Sequence, residues 1–157
     1  METLASIAIY RHTKIRIATE RPTQFIDLTD RLEVFVAEAG IRFGLVNVQT
    51  LHTTTAIVVN ELEPLLLSDF ATLLESAAPR DAGYRHDDVT ARTVNVTPDE
   101  RINGHAHCRA LLLGPSAALN VIDGKLLLGR WQRVFMAELD GPRAREISVL
   151  ILGEGGR

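Results

Sequence analysis

The chain has 157 residues, of which 46% are hydrophobic and 24% charged, and its formal net charge is −3 at pH 7. This mixture is typical of a globular protein and excludes a disordered chain, so we predict a single domain over residues 1–157 with a flexible tail at 153–157. The scattered arginines argue against nucleic acid as a partner, and no apolar run approaches the roughly 20 residues that span a membrane. A single cysteine and the absence of a secretory signal pattern predict a cytoplasmic location.

The first half of the chain combines strand and helix patterns. Alternation of polar and apolar residues predicts strands, one of them interrupted near Arg11 and His12. Apolar residues at spacings of three and four predict helices, which glycine ends and proline begins. The predicted elements are strands at 6–18, 44–50 and 53–60, a helix that follows Thr23 and ends at Gly40, and a helix that begins at Pro64.

The second half begins with an irregular segment and ends in strands. Residues 78–98 form a longer connection than most, so we interpret them as functional or as ordered by a partner. Asn103 is placed to cap a short helix that stops at Gly114. Three strands follow at 117–122, 125–138 and 145–152, separated by turns at Asp123-Gly124 and Asp140-Gly141-Pro142-Arg143. Helices early and strands late predict an α+β fold.

Five histidines are the first candidates for chemistry, and none belongs to a short metal-binding motif. A metal site would therefore combine distant segments. His52 stands where a strand begins, a position that holds a side chain rigidly at the edge of a core. The hydroxyls of Thr53 and Thr54 can orient its imidazole or bind an oxyanion, although threonine is also an ordinary strand residue.

His105 and His107 are two positions apart, which on a helix separates them by about 200° around the axis. Only one of them can then face a given site. His107 is in register with Leu111, so we predict that His107 faces inward. Cys108 is interpreted as a small buried hydrophobic residue, with a soft metal ligand as the alternative.

Glu138, Asp140 and Arg143 surround one turn near the end of the chain. When two carboxylates lie close together, the pKa of one is raised and the pKa of the other is lowered, which suits acid–base catalysis or the binding of a cation. The alternative is a charged turn that Arg143 neutralises. Trp131 is predicted to be a buried anchor of the core. No glycine pattern typical of nucleotide binding occurs, so no nucleotide cofactor is expected.

Six short motifs, in this order, resemble the YjbQ-like family, whose members are often labelled secondary thiamine-phosphate synthases. The resemblance extends from about residue 14 to 153, with one departure at Arg130, where a small residue, often threonine, is expected. The motifs are His52-Thr53-Thr54, Asn60-Glu61, Tyr84-Arg85-His86, Asn103-Gly104-His105-Ala106-His107, Leu128-Gly129-Arg130-Trp131-Gln132 and Glu138-Leu139-Asp140-Gly141-Pro142-Arg143.

The resemblance implies a compact fold with a mixed β-sandwich-like core, a homotrimer, and a site of histidines and acids near subunit boundaries that holds a divalent metal. Because neutral imidazoles favour transition ions over Mg²⁺, we expect Zn²⁺, with Mg²⁺ as the alternative. The residues carried over are metal ligands His52, His86 and His107, catalytic Glu61, Glu138, Asp140 and Arg143, and substrate-binding Thr53, Thr54 and Asn60. We further predict that His52 and His107 meet Glu138 or Asp140 in one pocket.

The sequence leaves three functions open. The family label implies a transferase that joins a pyrimidine diphosphate to a thiazole phosphate, which requires cations to bind the leaving group. The histidines and acids suit a metal-dependent hydrolase or lyase instead. The same residues also suit a non-catalytic protein that binds a metal or small ligand. The expected partners are further copies of the chain and a small molecule.

Overall fold

The computed structural model describes residues 7–155. Its elements confirm the predicted α+β class. In chain order they are β1 (Ile7–Ala18), β2 (Gln24–Asp27), α1 (Thr29–Ala39), β3 (Phe43–Thr50), β4 (Thr55–Glu61), α2 (Pro64–Ala77), a 3₁₀ turn (Arg85–Asp87), α3 (Gly104–Leu113), β5 (Ser116–Ile122), β6 (Lys125–Leu126), β7 (Gln132–Glu138) and β8 (Ala144–Gly155).

The strands form two sheets that enclose the main core. The larger sheet has the order β1-β8-β3-β5-β6, and the smaller one has the order β2-β7-β4. Neighbouring strands run antiparallel. Val48 and Val149 of the larger sheet lie in one buried cluster with Ile57 and Met136 of the smaller sheet and with Leu32 of α1. The inner faces of both sheets therefore share a sandwich-like core.

Helices α2 and α3 cover the other face of the smaller sheet. Ala56 and Ala137 of that sheet form a second buried cluster with Leu74 of α2 and with Ala106 and Ala110 of α3. Because four of these five side chains are methyl groups, backbone elements can approach one another closely. This packing fixes α3 against β4.

Strand β1 is continuous, and the interruption predicted near Arg11 and His12 is wrong. Each of its residues has a partner in β8, which is equally long. The same pairing includes residues 153–155, so this part of the predicted flexible tail forms the end of a strand. Residues 1–6 and 156–157 lie outside the described part. Among residues 7–155, no helix is long and apolar enough to cross a membrane.

The first helix begins later than the sequence pattern predicted. Residues 24–27 pair with β7 as strand β2, and α1 starts only at Thr29, whose N–H donates to Asp27 Oδ1 at 2.9 Å. The apolar residues after Thr23 that were predicted to form one helix therefore belong to a strand and then to a helix. The predicted end is confirmed, because Gly40 adopts a left-handed φ of 67°.

Residues 125–138 contain two strands rather than one. A connection at 127–131 separates β6 from β7, and it exposes 62% of Trp131 to solvent. The guanidinium of Arg130 lies over the indole ring, 4.7 Å from its centroid. The prediction that Trp131 anchors the core is therefore wrong.

Candidate functional site

One open cavity of about 840 Å³ gathers residues from several distant segments. Its walls come from the connection before β4, the 3₁₀ turn, the irregular segment at 91–101, the beginning of α3 and the beginning of β8. Basic groups dominate the lining, with Asp99 and Glu100 as the acids. The basic groups are His52, His86, His107, Arg92, Arg101, Arg143 and Arg145. This composition suits a ligand that carries negative charge.

His86 and His107 form a pair at this cavity. Their ring centroids are 4.6 Å apart, and the rings meet edge to face at 62°. Within the described residues, the buried Nε2 of His86 has no hydrogen-bond partner. Burial, followed by the neighbouring His86, lowers the pKa of His107 below its ordinary value of 6.5. His107 is therefore neutral at pH 7 and able to accept a proton.

His52 stands three residues before β4, whose observed start at Thr55 is later than the predicted one. Its Nε2 accepts a hydrogen bond of 2.8 Å from the backbone N–H of Glu146. Burial and then the Arg145 charge lower the pKa of His52, so its ring is neutral at pH 7. The neutral ring must then carry its proton on Nδ1. Beside it, Thr53 is exposed, whereas buried Thr54 accepts a hydrogen bond of 3.0 Å from Arg145 Nη2.

Glu138 is completely buried beneath the cavity and holds Arg145. Two hydrogen bonds join them, from Arg145 Nη2 to Oε1 at 2.5 Å and from Nε to Oε2 at 2.6 Å. The hydroxyl of Thr19 and the backbone N–H groups of Leu139 and Asp140 also donate to this carboxylate. Burial alone would raise the pKa of Glu138, but the hydrogen bonds from Arg145 and Asp140 outweigh it and lower the pKa. The carboxylate remains ionised and is fully engaged.

Asp140 is also buried, and it joins Arg143 to the start of α3. Its Oδ2 accepts from Asn103 Nδ2 at 2.9 Å and pairs with Arg143 Nη2 at 2.8 Å. Arg101 Nη1 donates to the backbone oxygen of Asp140 at 3.0 Å. The Nε of Arg143 is buried and has no hydrogen-bond partner among residues 7–155. Arg143 is thus held on one side and retains a donor for a ligand.

Asn60 and Glu61 do not line the cavity. They lie at the end of β4 that is remote from His52, opposite Arg133 and Gln132 of β7. Six residue steps along a strand separate Glu61 from Thr55, a distance of about 20 Å. The structure therefore does not bring these two residues together with the other predicted site residues.

Residues 91–101 supply much of the cavity wall, although none of them was predicted as a site residue. Arg92 pairs with Glu100 at 2.9 Å, and Thr97 also lines the cavity. The only sequence signal for this wall was the unusual length of the irregular segment that begins at residue 78. Because its side chains lack periodicity, their individual positions could not be inferred.

The inner face of α3 differs from the predicted one. His105 is buried with 1% exposure, whereas Leu111, which was expected to point inward with His107, is 84% exposed. Cys108 is exposed rather than buried. The helix packs through small residues and through buried Arg109, so its leucines do not mark the inner face. His107 lies at the boundary of that face and contributes to the cavity.

The residues of a single chain do not fit the divalent metal that the resemblance implies. No three His, Cys, Asp or Glu side chains of the described part come together as ligands. Zn²⁺ takes about three or four protein ligands, and the His86–His107 pair offers two. His52 Nε2 is already an acceptor for Glu146 N–H, and arginines hold Glu138 and Asp140.

Comparison with known proteins gives consistent matches over nearly the whole chain. Residues 13–154 match the family model described as UPF0047 protein YjbQ-like. A UPF0047 protein of Methanothermobacter thermautotrophicus is 40% identical over 141 residues, which cover 90% of this chain and 91% of that protein. A UPF0047 protein of Archaeoglobus fulgidus is 40% identical over 139 residues, covering 88% and 99% respectively. A crystal structure from Sulfolobus solfataricus P2, described as a YbjQ-like protein of unknown function, has 34% identity and a TM-score of 0.85, covering 94% of this chain and 100% of that chain.

Proposed function

We propose that this chain, which belongs to the UPF0047 YjbQ-like family, is an enzyme that acts on a small anionic molecule. The observation that carries this proposal is the His86–His107 pair in a cavity that also contains Arg143. A neutral imidazole can take a proton from a substrate, and a guanidinium can stabilise the negative charge that develops. Both groups are present at one surface.

The chain's own contacts support a fixed relation between these two groups. Asn103 precedes α3, which carries His107, and its side chain donates to Asp140. Asp140 in turn holds Arg143. In the proposed reaction, Arg143 binds the anionic group of the substrate, His107 accepts a proton, and His86 contacts the ring that becomes charged. Preorganised groups of this kind need little rearrangement during the reaction.

Transfer from a substrate with a diphosphate leaving group is the reaction class that we favour. It agrees with the thiamine-phosphate synthase label that the resemblance carries, and Arg101 and Arg143 of the lining support it, because a diphosphate carries several negative charges. The other two arginines of the lining, Arg92 and Arg145, are paired with Glu100 and Glu138. A hydrolase or lyase is the second candidate, supported by the neutral His107 ring of the His86–His107 pair, which can move protons without an arginine cluster.

The proposal is tested with pyrophosphate as a binding probe and with formation of thiamine phosphate from its two precursors as the turnover assay. Loss of a charged hydrogen bond from Arg143→Met should weaken pyrophosphate binding roughly 10- to 100-fold. His107→Asn should leave that binding within about threefold. It should slow by about 10²–10⁴-fold a hydrolysis or elimination in which His107 takes a proton. Formation of thiamine phosphate tests the arginines instead, because the attacking thiazole nitrogen has no proton to lose. His12→Ala is the control, since His12 bonds to Ser148 on the outer face of the larger sheet.

Each alternative has its own outcome. Binding of pyrophosphate without turnover of any substrate would favour a non-catalytic binding protein. Activity that EDTA removes and Zn²⁺ or Mg²⁺ restores would favour the metal-dependent hydrolase or lyase. Equal pyrophosphate binding by all three variants and the unchanged protein would contradict the anion site at Arg143.

A further inference from the structure

The side chain of Asp87 joins the turn that carries His86 to the helix that carries His107. Its Oδ1 accepts hydrogen bonds from the backbone N–H groups of Asn103 at 3.0 Å and Gly104 at 2.8 Å. These donors lie at the first residues of α3, where a helix has no internal acceptors for its N–H groups. A carboxylate is also favoured there by the helix dipole.

Asn103 occupies the usual capping position of α3 but does not cap it. Its side chain makes no capping hydrogen bond and instead donates to Asp140. The predicted role of Asn103 as the cap is therefore wrong. The cap comes from Asp87, in another element of the chain, so capping of α3 also fixes the position of the 3₁₀ turn.

Gly104 allows the turn and the helix to approach closely. A Cβ atom at this position would lie 2.4 Å from Tyr84 Cβ and 3.2 Å from Asp87 Oδ1. Any other residue would push the turn away from the helix. The absence of a side chain at Gly104 therefore leaves the space that Tyr84 and Asp87 occupy beside the start of α3.

We propose that Asp87 is the positioning residue for the His86–His107 pair. His86 directly precedes Asp87, and His107 lies three residues after Gly104, about one helical turn into α3. The cap thus fixes the backbone of both histidines at once, and their edge-to-face contact follows from it. This inference deepens the proposed function, and its consequence for catalysis rests on that function.

The ring contact can be measured directly by NMR on the full chain labelled with ¹³C-histidine. The unchanged protein should give a nuclear Overhauser cross-peak between the rings of His86 and His107. Asp87→Asn, whose amide oxygen accepts the same two hydrogen bonds, should retain the cross-peak. Asp87→Ala should lose it while circular dichroism shows a folded chain. Exposed Asp81 provides the matched control, and Asp81→Ala should change nothing.

A second variant tests the same contact from the helix. Gly104→Ala leaves the carboxylate in place but adds the methyl group that meets Tyr84, so it should also lose the cross-peak. If Asp87→Ala does not fold, the pair Gly104→Ala and Asp87→Asn decides the question. A cross-peak that survives in folded Asp87→Ala, or in folded Gly104→Ala, would overturn the positioning role.

Turnover separates this inference from the proposed function. If both are right, Asp87→Ala should bind pyrophosphate within about threefold of the unchanged protein but turn over at least about tenfold more slowly, and Asp87→Asn should restore the rate. Loss of the cross-peak with an unchanged rate would support the positioning role and contradict the catalytic use of the histidine pair.

Discussion

Replacing Glu138 by glutamine removes the charge that compensates Arg145 inside the protein. Both side chains are buried, with 0% and 3% exposure, and two hydrogen bonds of 2.5 and 2.6 Å join them. Glutamine has one acceptor oxygen in place of two, and it leaves the guanidinium charge without a counterion. We therefore expect the main consequence to be a loss of stability rather than a loss of proton transfer.

The size of the loss follows from the burial of the pair. Removing one partner of a buried ion pair costs about 3–5 kcal/mol, a large part of the roughly 5–15 kcal/mol by which domains are stable. For a chain of this length, each kcal/mol lowers Tm by about 2–4 °C, so Glu138→Gln should lower Tm by roughly 6–20 °C. Lys14→Gln, which removes a partner of the exposed Lys14–Glu146 pair, should cost about 1 kcal/mol or less.

Urea unfolding and calorimetry measure this difference. The double variant Glu138→Leu/Arg145→Leu should recover the part of the loss that the unpaired guanidinium causes, because it leaves no buried charge without a partner. It still removes the acceptor of Thr19 and of the backbone N–H groups of Leu139 and Asp140. A Glu138→Gln protein that melts within about 1 °C of the unchanged protein, yet has lost turnover, would refute the structural role. It would instead favour the catalytic role that the family resemblance implies for Glu138.

Three further predictions concern pH, Trp131 and assembly. Burial lowers the pKa of His105, so the unfolded chain binds its proton more readily than the folded chain does, and stability should fall as the pH drops below 6.5. Urea unfolding at several pH values should show that the free energy of unfolding falls as the pH falls in this range. His105→Gln should reduce this slope by up to about 1.4 kcal/mol per pH unit, and an unchanged slope would contradict the prediction. Trp131→Ala should change stability by about 0.5 kcal/mol or less in the same assay, because the ring is exposed; a loss of several kcal/mol would restore the buried assignment. The homotrimer stays a prediction, supported by exposed Leu45, Leu150 and Leu152 on the outer face of the larger sheet. Light scattering should give a trimer mass that Leu45→Lys lowers to that of a monomer, and a monomer mass for the unchanged chain would end the prediction.

Elements with local signals were predicted well from the sequence. Pro64 begins α2, Gly40 ends α1, and the Asp123-Gly124 turn joins β5 to β6 with positive φ at both residues. Each signal depends on the backbone preferences of one or two residues, so it can be recognised without knowledge of the tertiary structure. Strand β2 has no such signal, because its four residues are a strand only through their pairing with β7.

The predicted site residues divide according to the kind of information behind them. The motif resemblance selected His52, His86 and His107, and all three line one cavity. Asn60 and Glu61 came from the same motifs but lie at the other end of β4. A motif indicates that residues belong to a family pattern and gives no distance between them. The role of Asp87 was not visible either, because it depends on contact between two elements that are separate in sequence.

Three acids that do not line the cavity, but hold residues of its wall, share one structural property that constrains its chemistry. Glu138 holds Arg145, Asp140 holds Arg143 and Asn103, and Asp87 caps α3. Each of these carboxylates is engaged by protein donors, so it orients a cation or a helix rather than facing a ligand. The groups of the lining left for a ligand are the imidazoles, the guanidinium donor of Arg143 and the carboxylate of Asp99, since Glu100 is paired with Arg92. Such a set transfers protons through histidine and binds negative charge through arginine, which is why an anionic substrate fits this cavity better than a cationic one.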